Sequence, residues 1–117
     1  MASSLGEFEQ LILLALVRLG DEAYGVSIHN EILRRAGREV TVASVYKTLE
    51  RLETKGLAVS TLGESTAERG GRRKKYFRIQ PGGRRALAQA LASLNRMTDG
   101  LSLGPGLATR PLRRDER

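Results

Sequence analysis

Thr41-Val42-Ala43-Ser44-Val45-Tyr46-Lys47-Thr48-Leu49-Glu50-Arg51-Leu52-Glu53-Thr54-Lys55-Gly56 is the stretch whose reading decides the fold. Thr41 is a good N-cap, and Gly56 is the residue expected just past a helix C-terminus. Between them Val42, Val45, Leu49 and Leu52 make one apolar stripe at helical spacing. The opposite face carries Ser44, Lys47, Arg51 and Thr54, with Glu50 at its margin. Tyr46 lies one residue from the stripe, where its ring can pack and its hydroxyl extend outwards.

After Gly56 the period changes. Leu57, Val59 and Thr61 alternate with Ala58, Ser60 and Leu62, which predicts a short strand. Gly63 to Gly71 is a polar connection, and from Lys75 to Ile79 the alternation returns, with Phe77 and Ile79 on one side and Tyr76 and Arg78 on the other. The pattern predicts a β-hairpin with a long tip. At that tip Arg69, Arg72, Arg73, Lys74 and Lys75 cluster around Gly70 and Gly71, with Glu68 the nearest acid. So much like charge in one place is unfavourable unless an anion neutralises it.

Two helices precede this core stretch. Leu5, Phe8, Leu11, Ile12, Ala15, Leu16 and Leu19 recur at helical spacing, and Leu13, Leu14 and Val17 fill much of the remaining circumference. A helix apolar nearly all round should be buried on several sides. Ser4 or Gly6 can open it, and Gly20 stops it. A second helix fits Tyr24 to Ala36, with Tyr24, Ile28 and Ile32 stepping by four, Leu33 beside them and Gly37 closing it. Beyond the hairpin, Pro81 suits the first turn of a last helix edged by Leu87, Leu91 and Leu94 and widened by Ala90 and Met97. From Asp99 the glycines and prolines predict a disordered tail.

Composition limits what such a chain can do. Its 117 residues are enough for one small domain. With no cysteine, disulfides, zinc ribbons, iron–sulfur clusters and cysteine nucleophiles are excluded, and one histidine excludes His–His metal pairs. Serine-triad chemistry would rest on His29 alone, which reads as an exposed side chain. Gly20 and Gly25 have the P-loop gap, but Val26 stands where Lys is needed. No catalytic residue, metal or cofactor is expected. The apolar run from Leu11 to Val17 falls short of the ~20 residues a spanning helix takes. Glu7 and Glu9 precede it where a signal peptide would be positive, so a cytoplasmic protein with no membrane partner is expected. The 20 Lys and Arg against 13 Asp and Glu leave a formal charge of +7, which suits a polyanionic partner.

Three helices and a basic-tipped hairpin are the element order of a winged helix-turn-helix, mainly α with one small hairpin. Such a domain is expected over residues 1–80, followed by a dimerisation helix over 81–98 and a basic tail over 99–117. The third helix is the candidate for the major groove: Ser44 and Thr48 can bond bases or phosphates, and Lys47 and Arg51 supply positive charge. Tyr24, at the start of the second helix, can reach a phosphate with its hydroxyl. An ordinary solvated helix face and a solubilising loop carry similar residues, and it is their combination in one element order that favours nucleic acid.

The same residues resemble the PadR family of bacterial transcription regulators. The resemblance runs over roughly residues 5 to 97, through Leu5-Gly6-Glu7-Phe8-Glu9, Ala23-Tyr24-Gly25, Val45-Tyr46, Leu49, Arg51-Leu52 and Gly56-Leu57. It continues in Glu68-Arg69-Gly70-Gly71-Arg72-Arg73-Lys74, Tyr76-Phe77-Arg78 and Pro81-Gly82-Gly83. It implies a homodimeric winged-helix protein that binds operator DNA, usually as a repressor. The residues matching the family's recognition helix are Ser44, Tyr46, Lys47, Thr48 and Arg51, and those matching its wing run from Arg69 to Lys75. One terminal helix stands here where many members carry several, as in the short branch, in which the last helix pairs with the partner's first.

A symmetric dimer is expected in which Leu87, Leu91 and Leu94 pack on the partner near Phe8 and Leu11. The expected function is sequence-specific repression from an inverted-repeat operator in double-stranded DNA. The alternative is a winged helix used for protein–protein contact or non-specific DNA binding. With no Trp and 4% aromatic residues, an aromatic cage for a small-molecule inducer is not expected.

Overall fold

The computed structural model describes residues 5–63 and 73–104. In chain order the elements are α1 (Glu7–Leu19), a 3-10 turn (Gly20–Glu22), α2 (Gly25–Ala36), α3 (Val42–Thr54), β1 (Ala58–Leu62), β2 (Lys75–Ile79) and α4 (Pro81–Thr98). This is a mainly helical fold with one two-stranded antiparallel sheet and a C-terminal fourth helix. Arg69 and Arg72 of the expected wing, and the tail from residue 105, lie outside the described residues.

Local chemistry accounts for the helix ends. The Glu9 side chain reaches back to accept the Gly6 N–H (2.9 Å), satisfying a donor left free at the start of α1. Ser27 Oγ accepts the Tyr24 N–H (2.9 Å) and donates to the Glu22 carbonyl (2.7 Å), which sets the entrance to α2. Thr41 Oγ1 accepts the Ser44 N–H (3.0 Å), the cap that opens α3. Gly37 closes α2 in the left-handed conformation (φ 64°), and its N–H bonds to the Leu33 carbonyl.

Ile12, Leu13 and Leu16 of α1 meet Ile28 of α2 and Val45, Leu49 and Leu52 of α3 in a core that excludes solvent. Burying each such side chain is worth about 1.5–3 kcal/mol, which holds three short helices together. Two positions differ from the periodicity. Leu33 is 42% exposed, because Ile28 and Ile32 already point α2 inward and Leu33 is turned about a quarter of the circumference away. Val17 is also exposed, so α1 is not enclosed all round by its own chain.

β1 pairs with β2 in the register Ala58↔Ile79, Ser60↔Phe77 and Leu62↔Lys75. This sends Phe77 and Ile79 into the core and turns Tyr76 and Arg78 to the other side, while Lys75, at the far end of the strand, is exposed. Behind β2, Tyr24 and Tyr76 form a further antiparallel bridge, and the Phe77 N–H donates to the Ala23 carbonyl (2.8 Å). The hairpin root is thereby stitched to the start of α2.

Pro81 sits at the first turn of α4, and the Gln80 N–H donates to the Leu57 carbonyl (2.9 Å). Gly83 lies so close to that carbonyl that a methyl group has no room. The helix therefore packs on α1, and Leu87, only 6% exposed, joins the chain's own core. This corrects the expectation that Leu87 faces a partner. Leu91 is half-buried against the same core, whereas Leu94 is 54% exposed.

Candidate nucleic-acid interface

The outward side of α3 is narrower than its sequence suggests. Thr48 is 4% exposed: three residues after Val45 and four before Leu52, it lies on the packed side of the helix. It is thereby removed from the expected base-contacting residues. Ser44 is half-buried, and its hydroxyl donates to the Thr41 carbonyl (2.8 Å), leaving its lone pairs as the outward function. Lys47 is exposed and, among the described residues, makes no hydrogen bond or ion pair. Tyr46 is half-buried, its ring set edge-on to Phe77 (centroids 6.3 Å apart) and laid over the backbone of Gly25.

Arg51 is exposed but not alone. Its Nη1 lies 4.0 Å from Oε2 of Glu9, and the same oxygen accepts a hydrogen bond from Lys55 Nζ (2.9 Å). Glu9 is 6% exposed. Burial pushes its carboxyl pKa up, but the hydrogen bonds from Lys55 and Gly6 and the nearby Lys55 and Arg51 charges outweigh this and hold it below the usual carboxylate range. A similar centre lies between α1 and α2, where buried Glu31 accepts from Arg18, Arg34 and Arg35. Its carboxyl is also net lowered, burial being overcome mainly by Arg34. Sequence reasoning missed Glu9 and Lys55. An acid in the first turn of a helix was visible, but its partner lies 46 residues away.

The described wing residues Arg73, Lys74 and Lys75 are exposed. Lys74 Nζ stands 4.4 Å from the centroid of the Tyr24 ring and Lys75 Nζ 5.8 Å from that of Phe77. Tyr24 is half-buried and meets Tyr76 edge to face (5.6 Å). One surface therefore joins the start of α2, the outer side of α3 and the basic strand β2.

His29 is half-buried rather than exposed, its Nε2 held against the Val40 carbonyl (2.7 Å) between α2 and α3. The expected dimer residues Phe8 and Leu11 are half-buried on α1. Among the described residues there is no group of three acids or histidines placed to hold a metal, and no helix long and apolar enough to cross a membrane.

The family model of the PadR-like transcriptional regulators matches residues 13–89. The chain belongs to this family. PadR-like proteins are transcription regulators, not enzymes. A transcriptional regulator from Clostridium thermocellum is 27% identical, with a TM-score of 0.64 over 76% of this chain and 81% of its own. A PadR family regulator from Eggerthella lenta is 28% identical, with a TM-score of 0.62 over 80% and 81%. Bacillus subtilis PadR, solved in complex with operator DNA, shares the fold at 20% identity and a TM-score of 0.62, over 72% of this chain and 47% of its own. No curated protein sequence matches the chain.

Proposed function

We propose that this PadR-like regulator binds double-stranded operator DNA as a homodimer and represses transcription, acting in the cytoplasm. One observation carries the reading: α3, whose exposed Lys47 is unpaired among the described residues, is joined through the Tyr46–Phe77 ring contact to a hairpin that carries the exposed cations Arg73, Lys74 and Lys75. An α-helix of ~10–12 Å diameter fits a major groove ~12 Å wide, and a basic hairpin beside it can reach the backbone. Lys47 and Arg51 are assigned to base edges; Ser44, Tyr46 and Tyr24 to phosphates; Arg69, Arg72, Arg73, Lys74 and Lys75 to the flanking backbone.

The dimer reading draws on α4. Leu94 and Met97 stay exposed along its distal half, and α1 and α2 border an apolar groove of about 360 Å³ lined by Leu11, Leu14, Val17 and Ile32. Two α3 helices related by a two-fold axis call for an inverted repeat with half-sites about 10 base pairs apart, or a multiple of that. Selecting sites from a random oligonucleotide pool and footprinting the winner tests this. A two-fold-symmetric protected region supports the reading, and enrichment of no sequence favours non-specific binding or a protein partner.

A further inference from the structure

The outer edge of α3 and its C-cap carry Lys47, Arg51 and Lys55 at intervals of four, one ridge of cations on a single side of the helix. Two of the three converge on one oxygen of Glu9, which comes from α1. Glu9 gains from this arrangement, since a carboxylate so buried is costly without partners, and its other oxygen is taken by the Gly6 N–H. The ridge is altered as well. One negative charge against two positive ones halves the formal charge of the Arg51–Lys55 pair, while Lys47 keeps all of its own.

Building on the DNA-binding reading above, we infer that Glu9 is a positioning residue for sequence discrimination: it holds Arg51 and Lys55 back from phosphates so that random DNA does not recruit them. The two cations are held differently. Lys55 is directly hydrogen-bonded at 2.9 Å, whereas Arg51, at 4.0 Å and half-exposed, is held by charge alone. A phosphate can also accept from Arg51 in bidentate fashion, but the charge it brings is one that Glu9 already supplies. Guanine offers a bidentate pair of acceptors, which Glu9 at that distance does not. Arg51 thus becomes a conditional contact, released when the matching base is presented. Specificity is a difference between affinities, and an internal competitor that lowers binding to wrong sites raises it as surely as a new contact to the right one.

The test is the salt dependence of binding to a duplex of random sequence and fixed length, measured with the full chain. Each phosphate a protein neutralises adds about 0.9 to the log–log slope. Glu9→Gln keeps an oxygen to accept the Gly6 N–H but removes the charge. It should bind random DNA more tightly, with a slope steeper by about 0.9–1.8. Lys55→Gln alone should leave the random-DNA slope unchanged, and the Glu9→Gln/Lys55→Gln double variant should give back about 0.9 of the increase. A role in folding alone would move the unfolding midpoint and not the slope. A folded Glu9→Gln protein with the parental slope overturns the inference. So does a Lys55→Gln protein whose random-DNA slope falls by about 0.9, an arm that decides the matter even if Glu9→Gln does not fold. A parent protein that binds no duplex at low salt overturns both this inference and the DNA-binding reading; DNA binding with an unchanged Glu9→Gln slope overturns this one alone.

Discussion

The ring of Tyr46, on α3, lies over the bare backbone of Gly25, the first residue of α2, with no space between them for even a methyl group. The contact fixes how far α3 stands from the start of α2, and Phe77 supports the same ring from the hairpin. Gly25→Ala should therefore displace Tyr46 and cost about 1–3 kcal/mol, the usual range for overpacking a tight site. Pairing it with Tyr46→Ala should recover part of that loss, measured by chemical denaturation. Equal losses with and without the ring would show that the contact does not set the helix spacing.

Leu87 and Leu94 stand two turns apart on α4 and should separate folding from assembly. Leu87, enclosed by its own chain, should cost about 2–5 kcal/mol of stability as Leu87→Ala. Leu94, exposed in the protomer, should leave the fold intact as Leu94→Glu and shift light scattering toward the monomer. A dimer unaffected by Leu94→Glu would exclude this edge of α4 from the interface.

The wing should supply affinity with little sequence preference. Replacing Arg72 and Arg73 by Ala should weaken binding to all duplexes alike and lower the salt slope by about 0.9 for each phosphate that is no longer neutralised. An unchanged slope would reduce the wing to a solvated loop.

Lys47 should behave in the opposite way. With no partner among the described residues it is free to reach a base edge, and Lys47→Ala should cost about 1–3 kcal/mol at particular operator positions. Site selection with the variant, giving the parental preference at every position, would remove Lys47 from base reading.

Acid should loosen the packing of α1 on α2 and α3. Glu9 and Glu31 both titrate below the ordinary glutamate value of 4.5 in the fold, so near and below that pH the unfolded chain binds more protons. The stability they contribute is complete above the unfolded value and is lost as pH falls through the lower, folded one. Urea midpoints should drop between about pH 6 and about pH 3, less steeply in Glu31→Gln than in the parent. Identical profiles would show that Glu31 adds nothing to acid sensitivity.

Much of this architecture was legible before any coordinates, because its determinants are local. Thr41 caps the amide of Ser44 three residues on, Gly37 takes the left-handed turn that ends α2, and the alternation through Phe77 and Ile79 already says which side of β2 is buried. Spacing within one segment is enough to read such features, since a helix or strand repeats with a fixed period.

The interface was legible only in outline. Thr48 is polar and borders the outward side, and only the packing of α3 against its neighbours shows that it is covered. Leu87 and Leu94 are alike in sequence, and it is the approach of Gly83 to the Leu57 carbonyl that angles α4 so that one meets its own chain and the other meets solvent. The meeting of Glu9 with Lys55 and Arg51 depends on how α1 crosses α3. Side-chain chemistry and period determined which elements form. The close approaches between those elements, set by steric fit and by the need to neutralise buried charge, decided which residues remain available to a partner.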